Sequence, residues 1–161
     1  MALWQFVFDL IPSSVATLNG VVAARVSRDK LDSIELIFPQ QTIDAIVERV
    51  GVMLPEKQSW APDLRIWGDE KTDDVQISFR ATIIEDVQFR LNVGDLSLPL
   101  IGRICDLART LNCVFVSRSG AIIRPYSEPL VREITQSDAA RFVGDPELYI
   151  REAIQRDPKP Y

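Results

Sequence analysis

Two neighbouring segments, "VQISFRATI" (75–83) and "VQFRLNV" (87–93), restrict the fold more than any other part of the chain. In the first, Val75, Ile77 and Phe79 alternate with Gln76, Ser78 and Arg80. In the second, Val87, Phe89, Leu91 and Val93 alternate with Gln88, Arg90 and Asn92. A repeat of two residues is that of a strand with one face on a core and the other toward water. "LRIWG" (64–68) precedes them, and short acidic segments separate the three runs. This pattern predicts an antiparallel meander with one turn at 69–74 and another at Glu85-Asp86. An all-helical fold cannot accommodate it.

Other segments supply the layers around this meander. Residues 3–11, "LWQFVFDLI", read as a further strand in which Trp4, Phe6, Phe8 and Leu10 face the core. "SIELIF" (33–38) reads as a short strand before Pro39. Ile43, Ile46, Val47 and Val50 recur at the spacing of one helical face, with Thr42 suited to cap the start and Gly51 the end. "SLPLIGRICDLARTLN" (97–112) has a second apolar stripe, Ile101, Ile104, Cys105, Ala108 and Leu111. "CVFVSRSGAIIRPY" reads as a hairpin turning at Ser119-Gly120. Three helical pieces follow, opened by Ser127, by Ser137 or Asp138, and by Asp145-Pro146. Residues 13–32 show no clear period. The expected class is α+β: a single antiparallel, or mixed, sheet of about five to six strands with helices packed on it. Residues 1–156 are read as one domain and 157–161 as a flexible tail.

With 161 residues, the chain can bury roughly 70% of the surface its unfolded form exposes, so neither metal nor disulfide is needed as a staple. Its formal charge of -5 is opposite in sign to that of proteins that neutralise phosphates, which argues against nucleic acid and against anionic lipid. No apolar run approaches the length of a membrane span, and "MALWQFVFDL" lacks the basic start of a signal peptide. With two cysteines only, the expected location is a reducing cytoplasm.

The chain has no histidine. That removes the commonest neutral-pH base, the familiar nucleophile–histidine arrangements and the usual zinc ligand, although carboxylates, lysine and tyrosine still permit catalysis. Cys105 and Cys113 sit in apolar patterns and read as small buried hydrophobes. The seven glycines are scattered singly and form no phosphate-binding loop. No enzyme class, cofactor or metal site is expected from these residues.

The acidic stretch is the remaining feature. Between Asp69 and Asp95 lie seven carboxylates, opposed only by Lys71, Arg80 and Arg90. A solvated turn, a protein-docking surface and a magnesium or catalytic site drawing on Asp69, Asp74, Glu85, Asp86 and Asp95 are the three readings. Because the predicted turns lie at opposite ends of the middle strand, the carboxylates spread along the sheet, and a spread negative field steers a basic protein better than it builds a reactive centre. The candidate partner-binding residues are therefore Asp69, Glu70, Asp73, Asp74 and Asp86 for attraction, Arg80 and Arg90 for directional hydrogen bonds, and Trp60 and Trp67 as aromatic anchors.

"LWQFVFDLIP", "WGDE…DVQFRLNV", "ICDLARTLNCVFV" and "RFVGDPELYI" together resemble small bacterial proteins of the kind that act as cytoplasmic immunity proteins for secreted toxins. The resemblance implies a single acidic domain that blocks a toxin by tight binding; it carries no site residues across. The expected function is a non-enzymatic protein-binding domain, an immunity or inhibitor protein for a basic toxin or effector. A small carboxylate enzyme or ligand-binding domain is the alternative, and a homodimer formed through an open sheet edge is a third reading.

Overall fold

The computed structural model describes residues 3–18, 21–22 and 24–156. In chain order the elements are β1 (Gln5–Pro12), α1 (Ser13–Ala16), β2 (Thr17–Leu18), β3 (Val21–Val22), α2 (Arg28–Asp32), α3 (Gln40–Met53), β4 (Glu56–Lys57), β5 (Leu64–Gly68), β6 (Asp74–Arg80), β7 (Ile83–Asn92), a 3₁₀ turn (Val93–Asp95), α4 (Leu98–Thr110), β8 (Cys113–Ser117), β9 (Ile122–Ile123), α5 (Ser127–Thr135), α6 (Asp138–Gly144) and α7 (Pro146–Arg156). The class is α+β, as the alternating patterns require. Seven strands form one antiparallel sheet in the order β4-β5-β6-β7-β1-β8-β9, while β2 and β3 make a separate small hairpin. The strand beyond the expected five to six is β4, whose two residues are too few to show a period.

The meander forms in the expected register, with Trp67 opposite Val75 and Val75 opposite Phe89. β1 then inserts beside β7, Phe8 opposite Phe89, and accepts β8 on its other side, Leu10 opposite Phe115. The first strand of the sequence thereby lies inside the sheet, paired on both sides at Phe8 and Asp9. Phe8, Phe89 and Phe115 meet there with ring centroids 5.0 to 5.9 Å apart, at the separations aromatic pairs prefer.

One face of the sheet carries α3, α4 and α5. Ile43, Ile46 and Val50 from α3, Ile101, Ile104 and Cys105 from α4, and Leu130 and Ile134 from α5 join Phe6, Phe8, Val75, Ile77, Val87 and Phe89 in one core. The other face is divided. Over β1 and β8, Ile11, Ala16, Val114 and Val116 pack with Leu31, Ile34 and Ile122. Over β6 and β7 it is polar, and it is much less open to water than the alternation predicts: Asp74 is completely buried.

Several local expectations change. Trp4 does not face the core; it lies in the turn before β1 and is 40% exposed, because the strand begins at Gln5, two residues later than the alternation suggests. "SIELIF" forms no strand, and only Leu36 of it is buried while Ile37 is left in solvent. α3 starts after Pro39 without Thr42 as its cap and runs past Gly51 to Met53. Ser127 is the first residue of α5 and Tyr126 occupies the cap position with no side-chain hydrogen bond. Ser97 and Ser137 do cap α4 and α6 through Leu100 N–H and Ala140 N–H. The β6–β7 turn is at Ala81-Thr82, with Ala81 in the left-handed region at φ 57°, so Glu85 and Asp86 lie inside β7. A register shift at Ser78/Phe79 accommodates the longer strand. The proposed tail at 157–161 lies outside the described residues.

Candidate functional site

The acidic hairpin is built from the inside outward. Asp74 begins β6 directly across from Arg90 of β7, on the polar face, and both are flanked by further strands. Arg90 Nε donates to Asp74 Oδ1 at 2.8 Å and Nη2 to Oδ2 at 2.6 Å, a bidentate pair with almost no solvent contact. Gln76 Nε2 donates to the same carboxylate at 3.0 Å, and Gln88 Nε2 donates to Asp9 at 3.3 Å. The pairing raises the Arg90 pKa, chiefly through the Asp74 hydrogen bond. Alternation placed these groups on a face that the tertiary fold then closed, so they survive as ions only by satisfying one another.

The preceding loop is fastened in the same manner. Gly68 turns with φ 95°, and Asp69 accepts the Lys71 N–H at 2.8 Å. Asp73 accepts the Asn92 N–H at 2.7 Å, yet its burial outweighs that bond and raises its pKa. Glu70 stands 3.8 Å from Lys57, a half-exposed pair of little energetic weight. Gln5 of β1 donates from Nε2 to Glu70 O and Thr72 O, and the Trp4 indole N–H donates to Lys71 O at 3.2 Å. The loop therefore rests on the start of β1.

Of the nine sequence-predicted residues, Asp74 and Trp67 are buried and Arg90 nearly so, and none of the three belongs to a free surface. Asp73 is engaged with β7. Asp69 and Asp86 are exposed, Glu70 is partly so, and Arg80 pairs with Glu85 at 3.7 Å in solvent. Trp60 is 78% exposed. The structure thus separates the set into an internal brace and a few dispersed surface groups.

Less committed carboxylates lie at the opposite end of the β5–β6 hairpin, where Asp44 accepts a neutral hydrogen bond from Gln40 Nε2 at 3.1 Å. Asp44 and Glu48 on α3 and Asp63 before β5 line a groove of about 670 Å³ whose apolar part includes Ile43, Val47, Pro62 and Phe79. None of the three acids forms an ion pair among the described residues. The guanidinium lining it, Arg65, is held bidentate by Glu56 at 2.7 and 2.8 Å and lies over the Trp67 ring. The groove is left with uncompensated negative charge above an apolar floor. Sequence reading missed it because Asp63 lies beyond the end of α3 in the chain and joins Asp44 and Glu48 only when α3 lies against the hairpin. The one local signal is the i, i+4 spacing of Asp44 and Glu48, which aligns them on one helical side.

Cys105 and Cys113 are buried free thiols, and desolvation pushes both pKa values up to about 11, away from the reactive thiolate. Among the described residues no three His, Cys, Asp or Glu side chains are grouped to hold a metal ion, and no helix is long and apolar enough to cross a membrane. Comparison with known proteins found no matching family model, no matching curated protein and no matching solved structure.

Proposed function

We propose that this chain is a non-enzymatic protein-binding domain that docks a basic partner, acting as an immunity or inhibitor protein against a toxin or effector. The observation that supports it is the α3–hairpin groove, where Asp44, Glu48 and Asp63 form no ion pair among the described residues and border the apolar surface of Val47, Pro62 and Phe79. A basic side chain entering such a site loses little, because no ion pair of these carboxylates has to break first and Asp44 would exchange only the neutral Gln40 amide, while the apolar floor accepts its aliphatic stem. Trp60, exposed and two residues before Pro62, is the anchor of the hot-spot type on this side. Asp69 and Glu70, at the far end of the hairpin, add to the long-range field that brings a cationic protein in.

Capture of the partner by the tagged protein in its source cell, followed by stopped-flow association across a salt series, tests this reading. Asp44→Asn, Glu48→Gln and Asp63→Asn together should slow association by about tenfold at low ionic strength and flatten its salt dependence. An acidic or neutral partner, or rates indifferent to both salt and the triple substitution, would refute it.

A further inference from the structure

We propose that a second groove, at the free end of β1, binds the C-terminal end of a peptide as an added strand. β8 stops at Ser117, opposite Phe8, so among the described residues Gln5, Phe6 and Val7 have a strand partner only on the β7 side. The Val93 N–H donates to Trp4 O, and the Ser13 N–H on the other side donates to Asn112 O. Because backbone groups alternate sides along a strand, these two bonds turn the N–H and C=O of Gln5 and Val7 toward the vacant β8 side.

That side opens as a groove of about 690 Å³, with Leu3, Gln5, Phe6 and Val7 on one wall and the α5–α6 junction, Glu133 to Ala139, on another. Gln5 is 4% exposed, and its Oε1 has no hydrogen-bond donor among the described residues. The amide cannot be reversed to cure this, since Nε2 already serves two carbonyls, Glu70 O and Thr72 O. A buried acceptor left in this state costs stability until a donor reaches it. A peptide strand supplies what this wall lacks: alternating N–H donors and carbonyl acceptors, with small alternate side chains against Phe6, Val7 and Ala139.

The groove also selects a chain end. Ser117 and the turn through Arg118 and Ser119 close one end of the slot, so an entering strand must terminate there. Arg118 and Arg25 line that end; Arg25 is fixed by its bond to Ser119 O at 2.9 Å. Arg118 also faces Asp86, and the opposite wall carries Glu133 and Asp138, the latter paired with Arg141, but at the blind end itself the two guanidinium groups favour a terminal carboxylate over a terminal ammonium. The peptide consequently runs parallel to β1, its carboxylate beside Arg118. This site shares no lining residue with the α3–hairpin groove, so it stands independently of the function proposed above.

The test uses the full chain and two probes, acetyl-Ala-Val-Ala-Val with a free C-terminal carboxylate and the same peptide as its C-terminal amide. In a ¹⁵N NMR titration the free acid should give saturable shifts at the Gln5 and Val7 backbone amides and at the Gln5 carboxamide. The amide form should bind at least about tenfold more weakly. Arg118→Gln, at an exposed turn position, should erase that difference, while Asp44→Asn with Glu48→Gln should leave it unchanged. Equal binding of the two peptides, no saturable shift from either, or a carboxylate preference that survives Arg118→Gln would overturn the proposal.

Discussion

Removing one partner of the Asp74–Arg90 pair should destabilise the protein far more than removing both. Asp74 has no solvent exposure and the Arg90 side chain has 12%. Asp74→Asn leaves a guanidinium facing a neutral amide and discards one of two charge-assisted bonds, of 2.6 and 2.8 Å. Breaking a buried pair from one side costs on the order of 3–5 kcal/mol. Arg90 keeps a sliver of water contact and Gln76 remains as a neighbour, which places the loss near the lower end, at about 3 kcal/mol. For a chain of this size that corresponds to a fall in Tm of roughly 6–12 °C. Asp74→Leu with Arg90→Met removes both desolvation penalties and extends the apolar surface of Ile66 and Val7, which are buried on the same face. The double variant should lie within about 1 kcal/mol of wild type. Urea unfolding of the two single variants and the double variant completes the cycle. If Asp74→Asn costs under about 1 kcal/mol, or if the double variant is as unstable as the single, the pair is not the buried brace described here.

Glycine substitutions separate backbone demand from open space. A Cβ at Gly68 would stand 2.3 Å from Asp73 O at φ 95°, so Gly68→Ala should cost about 2 kcal/mol or more in chemical denaturation; Gly102→Ala, on α4 with nothing near its Cβ, should stabilise by about 0.5–1 kcal/mol. Burial raises the Asp73 pKa above its ordinary 3.8, so ionising it weakens the folded state: its contribution is present below pH 3.8 and is lost as pH rises through the folded value. Asp73→Asn keeps an oxygen for the Asn92 N–H and should therefore gain stability relative to wild type between acid pH and neutrality, seen in urea melts across that range. Cys105 and Cys113, with pKa values near 11, should resist a thiol reagent at pH 8 in the native protein and react fully once it is unfolded. Fast labelling of either thiol in native buffer would contradict their burial.

The period-two alternation at 64–93 and the apolar stripes of α3 and α4 were legible without coordinates, because each is a local consequence of backbone geometry and the partition of side chains between core and water. The same local rules placed the Ser119-Gly120 turn and the start of α6 at Ser137 or Asp138. They could not tell that β1 becomes internal, since its partners Asn92 and Ser117 lie about ninety or more residues away in the sequence. For that reason Trp4 was misplaced and Gln5 went unnoticed. Nor could they tell which carboxylates are engaged: Asp74 and Asp44 look alike as letters, and only the register that sets Asp74 against Arg90 and the packing that gives Asp44 a neutral amide instead of a cation distinguish a brace from a docking group. Patterning determined which faces are apolar; long-range strand pairing decided which polar groups the closed fold would spend on itself and which it would leave to meet something else.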